Sequence, residues 1–165
     1  MNRNRNNFFW IAFISIAMLQ AACNKVPLYP DEPILTDGSF ELLKNSIGQD
    51  TAVLIKFKFT DGDGDLGLTA ADTIPPYDKN LFVAYFQKVD GKFEKIVLPG
   101  STDTLNFNSR IRDYNITGAN AAQAEVSLNI NISVVLADTI LFEYYLRDKA
   151  RNISNKLSTG PIALN

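Results

Sequence analysis

Beyond residue 50 the chain alternates between apolar and polar positions. In residues 51–60, Val53, Ile55, Phe57 and Phe59 share one face, and Lys56 and Lys58 take the other. Period two of this kind marks a strand with one buried face. Residues 125–135 repeat it: Val126, Leu128, Ile130, Ile132 and Val134 oppose Ser127, Asn129, Asn131 and Ser133. Ile140, Phe142, Tyr144 and Leu146 follow suit, with Glu143 and Arg147 outside. Residues 81–89 are apolar on both faces, as in a central strand. They run into Asp90-Gly91, a pair suited to a two-residue hairpin turn, with residues 92–98 as the return strand. Phe40 and Leu42 mark a first strand. Leu105, Phe107 and Ile111 mark a weaker one, and residues 157–164 a last one with Pro161 at an edge. The helix period is missing. The expected fold is all-β: an immunoglobulin-like antiparallel β-sandwich of seven to eight strands, with a small closed barrel as the alternative.

The N-terminus follows a different pattern. Arg3 and Arg5 precede an apolar stretch, residues 8–19, broken only by Ser15. A spanning helix needs ~20 apolar residues, so this run has the length of a secretory leader core. Gln20-Ala21-Ala22-Cys23 closes it. Small residues followed by Cys resemble the bacterial lipobox, in the loose form familiar among Bacteroidetes lipoproteins. Gln20 stands where Leu or Val is usual. The resemblance implies cleavage before Cys23, a diacylglycerol thioether on its sulfur and an acylated amine. The expected organisation is a signal peptide over 1–22, a lipidated Cys and Pro-rich tether over 23–33, and one domain over 34–165. Pro27, Pro30 and Pro33 favour an extended spacer. With no Asp directly after Cys23, resemblance to sorting signals favours the outer membrane, placing the protein in the cell envelope.

Composition narrows the chemistry. The chain has no His, and its only Cys and Trp are Cys23 and Trp10. The domain thus has no imidazole or thiol for a Ser-His-Asp or Cys-His nucleophile, and none for a zinc site. Lys plus Arg is 16 against 18 for Asp plus Glu, a net charge of −2, which argues against a nucleic-acid partner.

One loop concentrates charge. In Phe59-Thr60-Asp61-Gly62-Asp63-Gly64-Asp65-Leu66-Gly67, carboxylates alternate with glycines. Glycines let the backbone turn sharply and aim several oxygens at one point, which suits Ca²⁺. An EF-hand is excluded: its sixth position would be Leu66, its twelfth Asp72, and the flanks are strands. Together with residues 142–155, whose core is Arg147-Asp148-Lys149-Ala150-Arg151-Asn152, the loop resembles a group of small Bacteroidetes outer-membrane lipoproteins with an immunoglobulin-like domain. That resemblance implies a fold and a location, not an activity. Relatives often carry Gly where Arg151 stands. In an immunoglobulin-like sandwich both motifs lie at one end. Asp148 and the Asn152 carbonyl would then complete a metal site begun by Asp61, Asp63 and Asp65. A full extra strand over 104–112 would separate them.

Asp precedes Thr and an apolar residue at Thr51, Thr73, Thr104 and Thr139. The triplet resembles an O-glycosylation sequon of Bacteroidetes secreted proteins; a turn-starting Asp before a β-branched residue produces it too. Two other readings follow. Tyr77, Tyr85, Tyr114, Tyr144 and Tyr145 suggest a glycan platform, which a tyrosine pair exposed side by side would favour. The carboxylates of the acidic loop suggest a small hydrolase, for which the domain offers little room. The favoured expectation is a non-catalytic, membrane-anchored module that binds or scaffolds envelope proteins, with calcium as its cofactor.

Overall fold

The computed structural model describes residues 29–113, 122–133, 135 and 137–165. Eight strands form: β1 (Ile34–Lys44), β2 (Asp50–Asp61), β3 (Leu81–Val89), β4 (Lys92–Lys95), β5 (Ala122–Asn131), β6 (Thr139–Leu146), β7 (Leu157–Ser158) and β8 (Ile162–Ala163). They make two antiparallel sheets. One has the order β1-β2-β5; the other runs β4-β3-β6-β7, with β8 also pairing β6. Successive strands β2 and β3 go to different sheets, and β5 and β6 return to pair with them. That is the strand order of an immunoglobulin-like sandwich.

The alternating stripes meet between the sheets. Val53, Ile55, Phe57 and Phe59 of β2 are buried against Val83 and Tyr85 of β3 and Phe142, Tyr144 and Leu146 of β6. Phe57 and Tyr144 pack at 5.1 Å between ring centroids. Asp90 and Gly91 both take positive φ, 48° and 81°, so the β3–β4 hairpin closes through the turn that the dipeptide predicts. β1 bulges at Asp37-Gly38. A Cβ on Gly38 would come 2.7 Å from the Tyr144 hydroxyl, so the glycine leaves room for that ring.

Three details depart from the sequence reading. Residues 104–112 form no strand. They lie along the edge of β3 through isolated bridges at Leu81↔Ser109 and Ala84↔Asn106, because β4 already occupies the other half of that edge. Leu105, Phe107 and Ile111 still pack onto the core. The last strand is split into β7 and β8, with Gly160 (φ 69°) and Pro161 between them. The packed domain begins earlier than residue 34. Pro33 is buried, and the Gly62 N–H donates to the Pro30 carbonyl at 2.7 Å. The leader, Cys23, Tyr114 and Val134 lie outside the described residues.

Candidate metal centre

β2 ends by carrying Asp61 into the interior at one end of the sandwich. The chain then turns at Gly62 and Gly64, returns Asp65 towards the loop that follows β6, and buries Leu66 and Leu68. Since 104–112 does not cross the domain, the two acidic motifs meet. The Asp65 carboxylate accepts the N–H groups of Lys149 (3.3 Å) and Ala150 (2.9 Å), bridging the β2–β3 loop to the β6–β7 loop. Asp61, Asp63, Asp65 and Asp148 each bring a carboxylate oxygen within 4.8 Å of the others. Asp61 and Asp148 are buried, Asp65 half-buried and Asp63 exposed, so the cluster opens to solvent on one side.

Local contacts hold these groups in place. Asp61 Oδ2 accepts the Leu66 N–H at 2.9 Å, and Asp63 Oδ1 accepts the Asp65 N–H at 3.3 Å. Asn152 fastens Asp148 twice: its backbone N–H donates to Oδ1 at 2.7 Å and its Nδ2 to Oδ2 at 2.8 Å. The Asn152 carbonyl, expected from the sequence as a ligand, accepts the Asp148 N–H at 3.2 Å. Asn152 is therefore placed behind Asp148, orienting it. Arg151 adopts φ 75°, so this turn is made at the cost of a left-handed non-glycine residue. Replacing Arg151 with Gly is expected to stabilise the protein by about 1 kcal/mol. Urea denaturation measures it, and an unchanged or lower midpoint contradicts it.

One oxygen has no counterpart. Asp61 Oδ1 is buried without a hydrogen-bond partner. Among the described residues no Lys or Arg forms an ion pair with any of the four aspartates. At the cluster's spacing an ionised pair costs about 3 kcal/mol at an effective dielectric of ~20. A proton or a cation at the buried Asp61 relieves that repulsion. Burial pushes the Asp61 carboxyl up to about 7. The Leu66 N–H opposes that rise, and the charges on Asp63 and Asp65 add to it. Asp65 is raised too, first by burial and then by Asp148 and Asp63.

No sequence pattern points to Asn80, which ties the loops around the cluster. It is buried and fully partnered: Nδ2 donates to the carbonyls of Leu66 (2.7 Å) and Ile111 (3.0 Å), and Oδ1 accepts the Ile111 N–H (2.7 Å). A lone Asn before a strand reads as a turn residue, and its long-range partners leave no pattern. Asn80→Ala would leave the Leu66 carbonyl and the Ile111 N–H without their partner, the Ile111 carbonyl keeping the Leu68 N–H, and is expected to cost about 2 kcal/mol. A guanidinium melt checks this; a loss below ~1 kcal/mol refutes it.

The remaining candidates disperse. Tyr85 and Tyr144 are core residues, Tyr77 is exposed on a loop and Tyr145 faces outward beside Phe82 rather than a second tyrosine, so no exposed tyrosine pair forms among the described residues. Thr73 stands exposed on a loop, whereas Thr51, Thr104 and Thr139 are half-buried and the Thr51 hydroxyl donates to the Leu43 carbonyl at 3.1 Å. A cleft of about 410 Å³ lies beside β5, lined by Phe59, Leu66 and Arg112 among others, and none of the four aspartates borders it. Comparison with protein-family models, with curated proteins and with solved structures returned no match.

Proposed function

We propose that this chain is a lipid-anchored cell-envelope protein whose β-sandwich is a non-catalytic binding or scaffolding module, with the loops at one end fastened by a calcium ion. The observation that carries the cation is the buried Asp61 oxygen without a donor, set among three further carboxylates. An all-oxygen donor set, with no His or Cys beside it, suits a hard cation. Ca²⁺ tolerates irregular, partly hydrated coordination, and the open side at Asp63 admits water to complete the shell. Asp61, Asp63, Asp65 and Asp148 would hold the ion.

The crowding that favours a cation argues against a hydrolytic pair. Glycoside hydrolysis needs two carboxylates ~5 Å or more apart with a sugar between them, whereas here all four converge and none borders the cleft. Placement in the envelope rests on the leader and Cys23.

Thermal melts of chelator-treated protein with and without calcium test the site. Calcium is expected to raise the melting temperature and magnesium to do so far less; identical melts sink the reading. Mass spectrometry of the mature N-terminus tests the anchor, and a free Cys23 thiol sinks that part.

A further inference from the structure

A second feature lies on the outer face of the larger sheet. Cross-strand register places Phe82 and Phe86 of β3, Tyr145 of β6 and Lys95 of β4 on that face, away from the core. Each ring carries a cation. The Arg147 guanidinium lies 4.6 Å from the Phe82 centroid, Lys156 Nζ 5.7 Å from Tyr145 and Lys95 Nζ 5.6 Å from Phe86. Phe82 and Tyr145 stack on each other at 5.1 Å and 11°. The Pro76 carbonyl accepts a hydrogen bond from Arg147 Nη2, which holds the guanidinium in place.

The two sheets treat their cations differently. On the smaller sheet Lys44, Lys56 and Lys58 are each paired with an acid: Asp50, Glu41 and Asp37. On the larger sheet none of Lys95, Arg147 and Lys156 forms an ion pair among the described residues, although Glu143 shares their face. In a chain of net charge −2, unneutralised cations gathered on aromatic rings form a local positive field of fixed geometry.

We infer that this face docks an acidic protein surface. Ring faces already covered by cations are poorly placed to stack on neutral sugars, while the cations offer donors outward to carboxylates. Aromatic residues with Arg, on a flat patch about 14 Å across four strands, match the core of a protein interface. The inference stands on residues separate from the acidic cluster and does not depend on calcium.

The test uses the full chain in neutral detergent, with polyglutamate as probe and polygalacturonate as the acidic-polysaccharide comparison, followed by calorimetry at low and high salt. Polyglutamate is expected to bind at low salt and to weaken as salt rises. Lys95→Glu/Lys156→Glu and Arg147→Glu should each weaken it by about tenfold or more, and Lys56→Glu on the other sheet should not. Lys95→Gln/Lys156→Gln gives the same reading, with a smaller loss, should charge reversal unfold the protein. No binding of polyglutamate, binding that the variants leave unchanged, or tighter binding of polygalacturonate each overturns the inference.

Discussion

Asp61→Asn is expected to stabilise the calcium-free protein at pH 8 and to abolish its response to calcium. The side chain is fully buried, and one of its oxygens has no donor. At pH 8 the wild-type carboxyl, whose value stands at about 7, is ionised against burial and against its neighbours. Relative to an unfolded value near 3.9, that penalty is about 4 kcal/mol. Asn keeps an acceptor for the Leu66 N–H and turns an amide NH₂ towards Asp63, Asp65 and Asp148. The unpartnered oxygen becomes a donor among acceptors. Most of the penalty should vanish, and the melting temperature should rise by roughly 10 °C. The same change removes the most buried ligand. Wild type in calcium at a hundred times its dissociation constant should gain about 2.7 kcal/mol, and the variant close to nothing. Thermal melts of both proteins, stripped and loaded, make the comparison. A variant that is less stable than stripped wild type contradicts the account of Asp61, and one that keeps the full calcium shift contradicts the site.

The sequence made the cluster legible in part because its chemistry is local. Asp61, Asp63 and Asp65 sit two residues apart among glycines, and a strand of period two leads into them. Asp148 was reachable through topology alone, since the β2–β3 and β6–β7 loops share an end in an immunoglobulin-like strand order. Long-range polar closure was not legible. Asn80 ties together segments up to 31 residues away. Asn155 likewise brackets Leu35 of β1 with bonds of 2.7 and 3.0 Å across 120 residues. Neither leaves a periodic trace. The paired stripes told which residues of β6 face the core, and so distinguished Tyr144 from Tyr145. They did not reveal that Tyr145 stacks with Phe82 under a cation, because cross-strand register emerges only from the assembled sheet. Residues 104–112 misled for a related reason. Their apolar spacing is that of a strand, but the edge of β3 is shared with β4, and only isolated bridges fit.

The stability of the calcium-free protein is expected to fall as pH rises, while the stabilisation added by calcium grows and offsets that fall. For the stripped protein the folded Asp61 carboxyl holds its proton up to about 7, whereas the unfolded chain releases it near 3.9. Between these values the native state binds more protons than the unfolded state, so stability falls as pH rises. The loss begins near pH 4 and is complete just above 7, amounting to about 4 kcal/mol. Asp65, raised in the same direction, adds to it. Asp50 and Asp72 act oppositely. Lys44 holds Asp50 below the usual range, and the Thr69 hydroxyl and N–H hold Asp72 there. Their stabilisation is present above the unfolded value and is lost only as pH falls below about 4. Stripped protein should therefore be most stable near pH 4 to 5. Calcium competes with the proton for the same oxygens, so its stabilisation grows as pH rises and is greatest at pH 8. Urea denaturation of resin-stripped protein at pH 5, 6, 7 and 8, repeated in 10 mM calcium, measures both curves. A calcium shift of equal size at pH 5 and pH 8 would mean that the ion does not displace the Asp61 proton. A stripped protein more stable at pH 8 than at pH 5 would mean that Asp61 is ionised without penalty, and the physical reason for placing a cation beside it would be gone.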